Sequence, residues 1–169
     1  MTINEIPDGG FCLSAFLIVS RLGHAPDEVL MGRINPEGEW DKIGALDHQR
    51  ALVHAKGWML PSSHLIYGES PQEAGRRIMD EQLGVRMDTI VDPKMISDLY
   101  SPRTLQGVVL APHWDLGFVF RVEISSEQEL RPPTKAWNEL RFFEKGDDLK
   151  SIQFARSHDD VLRSVGLLE

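Results

Sequence analysis

The stretch at residues 57–85 reads GWMLPSSHLIYGESPQEAGRRIMDEQLGV and carries the clearest local signals in the chain. Its apolar run Trp58-Met59-Leu60 predicts a strand, and Pro61 ends that strand because proline has no N–H to donate to a neighbouring chain. A loop follows and is closed by Gly68. The stretch therefore reads as a strand, a loop and a helix.

Both ends of this helix are specified locally. Ser70 is a good N-cap, Pro71 suits the first helical position, and the Glu73 carboxylate can reach back to the N–H of the cap residue. At the other end, Gly84 suits the left-handed residue that closes a helix. We therefore predict a helix that begins at Pro71 and ends at residue 82 or 83.

The spacing of this stretch resembles the Nudix box, the sequence signature of the Nudix hydrolases, and the resemblance covers residues 63–85. The positions that carry the residue types of the box are Glu69, Arg77, Met79, Glu81, Gly84 and Val85. Three positions depart from it, so the box is degenerate. Ser63 stands for the first glycine, Ile78 for the glutamate after the arginine, and Gln82 for the second glutamate of the acidic pair.

The resemblance implies a divalent metal ion, Mg²⁺ or Mn²⁺, on one face of the helix. Positions 78, 81 and 82 project within about 100° of one another, and hard cations want several oxygen ligands. Glu81 is the acid that remains there, since Ile78 cannot ligate and Gln82 offers a neutral carbonyl. The implied metal ligands are Glu81, Gln82 and the backbone carbonyl of Ser62. The implied catalytic residues are Glu81, Arg77 and Glu69.

A purely structural interpretation of the same helix stays open. Its small and apolar residues fall in one broad arc that suits packing against a sheet with no metal present; they are Ala74, Gly75, Ile78, Met79 and Leu83. In this interpretation Glu69 and Arg77 form a structural pair that fixes the loop to the helix.

The composition is that of an acidic globular protein. The chain has 169 residues, of which 41% are hydrophobic, and this is enough to bury a full core. A formal net charge of −8 and a sequence pI of about 5.2 argue against a surface that binds nucleic acid through its phosphates. We expect a single domain over residues 1–169, with residues 1–10 as a loose N-terminal arm.

The first apolar run gives no sign of a membrane span or an export signal. Phe11–Val19 is too short to cross a bilayer, and the residues before it include Glu5 and Asp8 but no basic residue. Cys12 is the only cysteine, so no internal disulfide is possible and a buried structural thiol is expected. We therefore expect a cytoplasmic protein without a membrane partner.

Two strands are predicted before the box, at residues 11–20 and 28–34, with a turn at residues 23–27. We expect them to lie side by side, and the resemblance implies that they run antiparallel. Residues 39–56 form a longer connection than the family usually has, and a short helix is predicted over residues 46–56. The charged residues of this connection either line a ligand site or belong to a solvated segment that covers a sheet edge; they are Asp41, Asp47, His48, Arg50 and His54.

After the box, the pattern predicts strands at residues 86–92, 105–112, 116–124 and 138–143. Residues 93–102 are expected to form a loop with a short helical turn at 95–99, and residues 113–115 the tip of a hairpin. Residues 125–135 are expected to be a surface loop. Apolar residues then recur at helical spacing and predict a terminal helix that docks on the core; they are Val161, Leu162, Val165 and Leu168.

The candidate substrate-binding residues are His64, Trp114, Asp115 and Glu139. His64 is in register with the histidine of the Pro-Gly-Gly-His that precedes the helix in the family, where Ser62 and Ser63 replace the glycines. Trp114 has a ring that can stack on a base, and Glu139 opens a late strand from which some members complete the metal cluster. Each residue also has an ordinary structural alternative in loop or core packing.

The resemblance implies an α/β fold, the Nudix-type α/β/α sandwich with a mixed central sheet. Two functions stay open. The first is a divergent Nudix hydrolase that uses a divalent metal to cleave a pyrophosphate bond in a nucleoside-diphosphate-linked compound. The second is a non-hydrolytic protein of this fold that binds a nucleotide, a sugar phosphate or a protein partner. A small phosphorylated ligand is the expected partner, and an exposed sheet edge would suit a homodimer.

Overall fold

The computed structural model describes residues 10–24, 28–44, 46–100, 103–105 and 108–169, with the backbone alone at residues 99–100, 103–105, 108–110 and 147. Its strands are β1 (Phe11–Arg21), β2 (Val29–Ile34), β3 (Trp58–Met59), β4 (Ser62–His64), β5 (Lys94–Tyr100), β6 (Arg103–Leu105), β7 (Val108–Leu110), β8 (His113–Ile124) and β9 (Trp137–Phe143). Its helices are α1 (Trp40–Ile43), α2 (His48–His54), α3 (Pro71–Ile78), α4 (Asp147–Lys150) and α5 (His158–Ser164). The expected arm at residues 1–9 and the end of the expected turn, residues 25–27, lie outside the described residues.

The strands form two main sheets. The first sheet has the order β4-β1-β8-β5, in which β1 is parallel to β8 and the two outer pairs are antiparallel. The second sheet has the order β3-β2-β9 and is antiparallel, while β6 and β7 make a separate hairpin. The chain is therefore an α/β protein with a mixed sheet.

β1 lies inside the first sheet because it is apolar on both of its faces. Alternate side chains of a strand point to opposite faces. Leu17 packs with residues of α3 on one face, whereas Phe16 and Ile18 pack with residues of α5 on the other. We call these two sides of the first sheet the α3 face and the α5 face.

The local helix signals are confirmed. The Ser70 hydroxyl accepts from the Glu73 N–H while the Glu73 carboxylate accepts from the Ser70 N–H, so a capping box starts α3. The helix continues beyond α3 as a π-helical turn over Met79–Leu83. Gly84 then closes it in the left-handed conformation, with a φ of 70°. The π turn itself has no signal in the sequence.

The strand pairing before the box differs from the prediction. β1 and β2 do not lie side by side, because β1 pairs with β4 and β8 whereas β2 pairs with β3 and β9. Both strands are buried on both faces over much of their length, so each becomes the centre of its own sheet. Residues 62–64, expected in a loop, form β4 because they pair antiparallel with residues 14–16.

The region after the box also differs. Residues 84–93 contain no strand, and residues 94–100, expected to be a loop with a helical turn, form β5. The predicted strand at 105–112 is replaced by the β6–β7 hairpin, of which residues 106–107 lie outside the described residues. Residues 113–115 are not a hairpin tip, because they begin β8 and pair with β5. The missed β5 and the missed start of β8 share a cause, since residues 94–100 and 113–115 are held as strands by each other rather than by a local pattern.

The C-terminal helix is shorter than the apolar pattern suggests. Val161 and Leu162 of α5 are buried on the α5 face, and Leu167 and Leu168 are buried there after the helix has ended. The helix therefore docks on the core as expected. Within the described ranges, no helix is long and apolar enough to cross a membrane.

Candidate ligand pocket

The helix face that resembles a metal site is filled by apolar packing and hydrogen bonds. Ile78 is fully buried on the α3 face. Gln82 is also fully buried, and its side-chain amide contacts the backbone of β4. Gln82 Oε1 accepts from the Ser62 N–H at 3.1 Å, and Nε2 donates to the Ser62 carbonyl at 2.8 Å and to the Ile43 carbonyl at 3.1 Å. The amide therefore bonds the outer edge of β4 as a neighbouring strand would.

These contacts decide whether a box-type metal ion fits. A carboxylate at position 82 would face the two carbonyl oxygens to which the amide now donates. Ile78 has no ligand atom, and the Glu81 carboxylate accepts from Arg77 at 3.3 Å. Among the described residues, no three His, Cys, Asp or Glu side chains are grouped to hold a metal ion. These residues do not fit a box metal, and the ligand roles expected for Glu81, Gln82 and Ser62 stay predictions.

Arg77 holds the loop before α3 in place. Its guanidinium donates to both carboxylate oxygens of Glu69, at 2.8 and 2.9 Å, and to the His64 carbonyl at 3.0 Å. Glu69 also accepts from the Ile66 N–H at 2.9 Å. Burial raises the pKa of Glu69, but the Arg77 guanidinium and the Ile66 N–H more than offset burial and hold that pKa below its ordinary value. The pair expected from the sequence is present, and its contacts fix the loop to the helix.

A pocket of about 370 Å³ opens on the α5 face of the first sheet. Its polar floor consists of Cys12 and Ser14 of β1, Ser62 and His64 of β4, and His113 and Asp115 of β8. Ser63 of β4, Arg50 and His54 of α2, and Arg156 and His158 add further polar groups to the described lining. The pocket thus brings together side chains from both ends of the chain.

The charged lining of the pocket is mainly basic. Arg50 and Arg156 accompany Asp115, the one acid among the described lining residues. Burial, together with the two guanidinium groups, lowers the pKa of His64 to about 4. Burial also lowers the pKa of His158 well below its ordinary value, so both rings are neutral at pH 7. The fixed positive charge comes from guanidinium groups, whose geometry matches phosphate.

Arg156 is held at the pocket wall by anchors on both sides. The preceding residue donates its N–H to the Trp58 carbonyl at 2.8 Å, and His158 Nδ1 accepts from the Leu60 N–H at 2.9 Å. Between these anchors Arg156 and Ser157 have φ values of 55° and 58°. This left-handed conformation costs a non-glycine residue on the order of 1–2 kcal/mol. The surrounding contacts therefore impose the direction in which the Arg156 backbone runs.

Two buried side-chain oxygens of the described residues have no hydrogen-bond partner, and both residues line this pocket. They are Ser62 Oγ and Asp115 Oδ1. Burial raises the pKa of Asp115, and a hydrogen bond with Ser14 partly offsets that effect. Leaving a buried polar group unpaired costs about 1–3 kcal/mol, so such atoms commonly mark a place for water or a ligand.

The four candidate substrate residues separate into two groups. His64 and Asp115 come together in the pocket. Trp114, the neighbour of Asp115 on β8, points to the other face of the sheet, where its Nε1 donates to Ser97 Oγ at 2.8 Å. Glu139 lies on the second sheet and forms an exposed ion pair with Arg33 at 3.9 Å. Neither Trp114 nor Glu139 lines the pocket.

The basic residues of the pocket were only partly predictable. The mixed charges of residues 39–56 suggested a ligand site as one of two interpretations, and Arg50 and His54 of this segment line the pocket. Arg156 has no signal in the sequence. It reaches the pocket because the segment before α5 is hydrogen-bonded to Trp58 and Leu60.

Comparison with known proteins finds similarity in structure and not in sequence. No family model matches the chain, and no curated protein is similar to it in sequence. A bifunctional NMN adenylyltransferase/ADP ribose pyrophosphatase from Francisella tularensis, complexed with AMP and an Mn ion, is similar with a TM-score of 0.61 and 13% identity. The match covers 96% of this chain and 42% of that protein, so this chain spans less than half its length.

Two further structures match over nearly their whole length. The NUDIX domain of NrtR from Shewanella oneidensis, complexed with ADP ribose, has a TM-score of 0.60 and 15% identity over 98% of this chain and 97% of its own. The dihydroneopterin triphosphate pyrophosphohydrolase of E. coli has a TM-score of 0.58 and 10% identity, over 94% and 95%. At these identities the likeness shows the fold alone.

Proposed function

We propose that this chain, which has the Nudix fold, binds a small phosphorylated ligand in the pocket on the α5 face and does not hydrolyse pyrophosphates with the box helix. One observation carries the proposal. The pocket combines two guanidinium groups with the two unpartnered buried oxygens, Ser62 Oγ and Asp115 Oδ1, in about 370 Å³.

The charge distribution favours an anionic ligand in this pocket. The chain as a whole carries a formal net charge of −8, so a basic concavity stands out against an acidic background and concentrates anions locally. Arg50 is exposed, and its guanidinium makes no hydrogen bond or ion pair with the described residues. Arg50 is therefore well placed to contact a phosphate that enters from solvent.

The geometry of the box helix argues against hydrolysis there. The two positions that lack acids are both fully buried, and each is part of the fold's own packing. The side-chain amide of Gln82 is hydrogen-bonded to the backbone of β4, and the Glu81 carboxylate accepts a hydrogen bond from Arg77. A site that must neutralise a metal-bound pyrophosphate needs carboxylates that are free to ligate.

The hydrolase hypothesis keeps the support of the structural neighbours. The Francisella tularensis protein is described as an ADP ribose pyrophosphatase, and the E. coli protein as a pyrophosphohydrolase. Under this hypothesis the chain would cleave a nucleoside-diphosphate-linked compound with Mg²⁺ or Mn²⁺ and with Glu81 as the remaining box acid. The two hypotheses therefore differ in whether a nucleoside-diphosphate-linked compound is cleaved by the chain.

Binding is tested by titrating the chain calorimetrically with ribose 5-phosphate and with ADP-ribose. We expect one or both to bind, and Arg50→Gln to weaken binding about tenfold because one charged hydrogen bond is lost. Arg86→Gln is the matched control, since Arg86 is 90% exposed and does not line the pocket. Alkylation of Cys12, the only cysteine, gives a second reading, because it lines the pocket and a bound ligand should slow its reaction. If neither ribose 5-phosphate nor ADP-ribose binds, the proposal is wrong.

Hydrolysis is tested on the same chain with a panel of nucleoside diphosphate derivatives, with Mg²⁺, Mn²⁺ or a chelator. A coupled phosphatase reveals each newly exposed monophosphate as free phosphate. We expect no metal-dependent release. Release from any member of the panel that Glu81→Gln abolishes would favour the hydrolase instead.

A further inference from the structure

We infer that Ser62 and Asp115 bind hydroxyl groups of the ligand, so that the ligand is a phosphorylated sugar or polyol rather than a nucleotide held by its base. This inference rests on the proposed function of the same pocket. It adds the chemical class of the part of the ligand that is not phosphate.

The first argument is the chemistry of the unpartnered atoms. Asp115 Oδ1 is buried and makes no hydrogen bond with the described residues. An ionised carboxylate can only accept, and it repels a phosphate, which also only accepts. Asp115 therefore needs a donor from the ligand, while the phosphate needs Arg50 and Arg156.

The second argument is that Asp115 shares the pocket with a second unpartnered oxygen, the hydroxyl of Ser62. Ser62 Oγ can both donate and accept, and it too lacks a partner. Sugar hydroxyls have the same dual character, so a polyol can satisfy both protein atoms with groups of one kind. Burial raises the pKa of Asp115, which fits a carboxyl group that is shielded from water and awaits a ligand.

The third argument is the lack of a broad aromatic surface for stacking a base, since the small histidine rings are the main aromatic groups of the described lining. The described lining contains neither Trp nor Tyr. Its single Phe, Phe16, is buried, and its ring packs against His158 in a T-shaped pair with the ring centroids 5.4 Å apart. Trp114, the ring that the sequence suggested for stacking, is on the opposite face of the sheet.

The size of the pocket agrees with a small ligand. Its volume of about 370 Å³ is near the lower end of the roughly 300–1,000 Å³ that is usual for small-molecule sites. A single phosphorylated sugar needs less room than a dinucleotide. The polar floor on β1, β4 and β8 offers hydrogen bonds in place of a broad apolar surface.

The test compares ligands that share a phosphate and differ elsewhere, by calorimetric titration. Ribose 5-phosphate carries hydroxyls, pentyl phosphate has none, and AMP adds a base. We expect the wild-type chain to bind ribose 5-phosphate at least tenfold more tightly than pentyl phosphate and at least as tightly as AMP.

The variant that tests the inference is Asp115→Leu, which is similar in size and has no polar atom. We expect it to weaken ribose 5-phosphate about 10- to 100-fold, as for the loss of a charged hydrogen bond, and to leave pentyl phosphate unchanged or tighter. Its stability combines a gain from removing an unpaired buried oxygen with a loss of the hydrogen bond to Ser14, so circular dichroism at the titration temperature confirms that the variant is folded. Asp115→Asn, which keeps an acceptor, should lose less affinity, and the exposed Asp88→Asn should lose none.

The outcomes separate this inference from the proposed function. If neither ribose 5-phosphate nor pentyl phosphate binds, both the phosphate site and the inference are wrong. If both bind equally well to the wild type and to Asp115→Leu, the phosphate site stands and the selection of hydroxyls is wrong. Binding of AMP tenfold more tightly than ribose 5-phosphate would also overturn the inference, because the base would then be recognised.

Discussion

The polar groups of Ser62 in β4 are hydrogen-bonded on the side of the π turn and lack a partner, within the part of the chain that the structure describes, on the side of the pocket. On the side of the π turn, the Ser62 N–H and carbonyl are both bonded to the amide of Gln82. On the α5 face, Ser62 Oγ lines the pocket and has no partner among the described residues. The backbone groups of Ser62 are therefore paired, whereas its side-chain hydroxyl is not.

The charged residues show the same contrast. Arg77, on the side of the box helix, donates to Glu69, to the His64 carbonyl and to Glu81. Arg50, at the pocket, has an exposed side chain. Fully bonded polar networks specify and stabilise a fold, whereas open polar groups held on a rigid scaffold suit binding. Under the proposed function, the spacing of the box is kept for architecture while the ligand binds on the α5 face.

The largest effect is expected from Gln82→Glu, which restores an acid of the box. The new carboxylate would be buried beside the carbonyls of Ser62 and Ile43 and would lose both donated hydrogen bonds. We expect the free energy of unfolding to fall by about 3 kcal/mol or more, and the melting temperature by about 6–12 °C. Denaturant titration and thermal melts measure this change.

The control for this variant is Gln153→Glu, the same change at an exposed position, which should alter stability by less than about 0.5 kcal/mol. If Gln82→Glu is as stable as the wild type and gains metal-dependent hydrolysis, the face of the box helix beside β4 can bind a metal ion and the interpretation given above is wrong.

The next effect is a dependence of stability on pH that arises from His158. Its ring is neutral in the folded chain because burial keeps its pKa well below the ordinary value, whereas the unfolded chain takes up a proton below about pH 6.5. The folded state should therefore lose stability as the pH falls below about 6.5, by at most about 1.4 kcal/mol per pH unit for this one group. Chemical denaturation at pH 7, 6 and 5 measures the slope.

His158→Phe should reduce that slope by the contribution of this one ring and leave the contribution of His64, whose pKa is lowered to about 4. At pH 7 the variant should cost about 1–3 kcal/mol, because the Leu60 N–H loses its acceptor. His48→Gln, at an exposed position of α2, should leave the slope unchanged. An unaltered slope in His158→Phe would mean that this ring does not stay neutral in the fold.

A smaller loss of stability is expected from Arg77→Lys. Lysine keeps the charge but cannot bond both oxygens of Glu69 and the His64 carbonyl at once. We expect a loss of about 1–2 kcal/mol in denaturant titration. Arg76→Lys, the neighbouring change, should cost less than about 0.5 kcal/mol, since the hydrogen bond from its guanidinium to the Asp88 carbonyl is long, at 3.5 Å. Equal losses in the two variants would show that the Arg77 network contributes no special stability.

The smallest effect is expected from the two sequence candidates that lie outside the pocket. Trp114→Phe and Glu139→Gln should each change the affinity for ribose 5-phosphate less than twofold, because neither side chain lines the pocket. Calorimetric titration of the two variants beside the wild type decides the matter. A loss of fivefold or more in either would place the ligand somewhere other than the α5 face.

Much of the box segment was predictable because its signals are local. Ser70, Glu73 and Gly84 act within a few residues of themselves, through the capping box and the left-handed closing residue. The structural pairing of Glu69 with Arg77 was also expected from the sequence, since the two residues flank the same loop. Such features need no knowledge of the rest of the chain.

The strand pairing was less predictable because a strand is stabilised by distant partners. β5 was missed although it pairs with β8 over its whole length, and residues 113–115 were placed at a hairpin tip for the same reason. Gln82 illustrates the difficulty for a site residue. Its sequence position suggests a weakened metal ligand, whereas its burial against the backbone of β4 makes it a structural amide.

The helix of the box, its two ends and the resemblance to the Nudix fold could all be predicted from the sequence, because they depend on neighbouring residues and on spacing. Which polar groups have hydrogen-bond partners and which have none became visible only in the folded chain. Asp115, Ser62 and Arg156 come from three distant segments, and they line one pocket because β8, β4 and the segment before α5 meet on the α5 face. Burial and hydrogen bonding are properties of the assembled fold, and they distinguish the box helix, whose polar groups have partners, from the pocket, where two buried oxygens have none among the described residues.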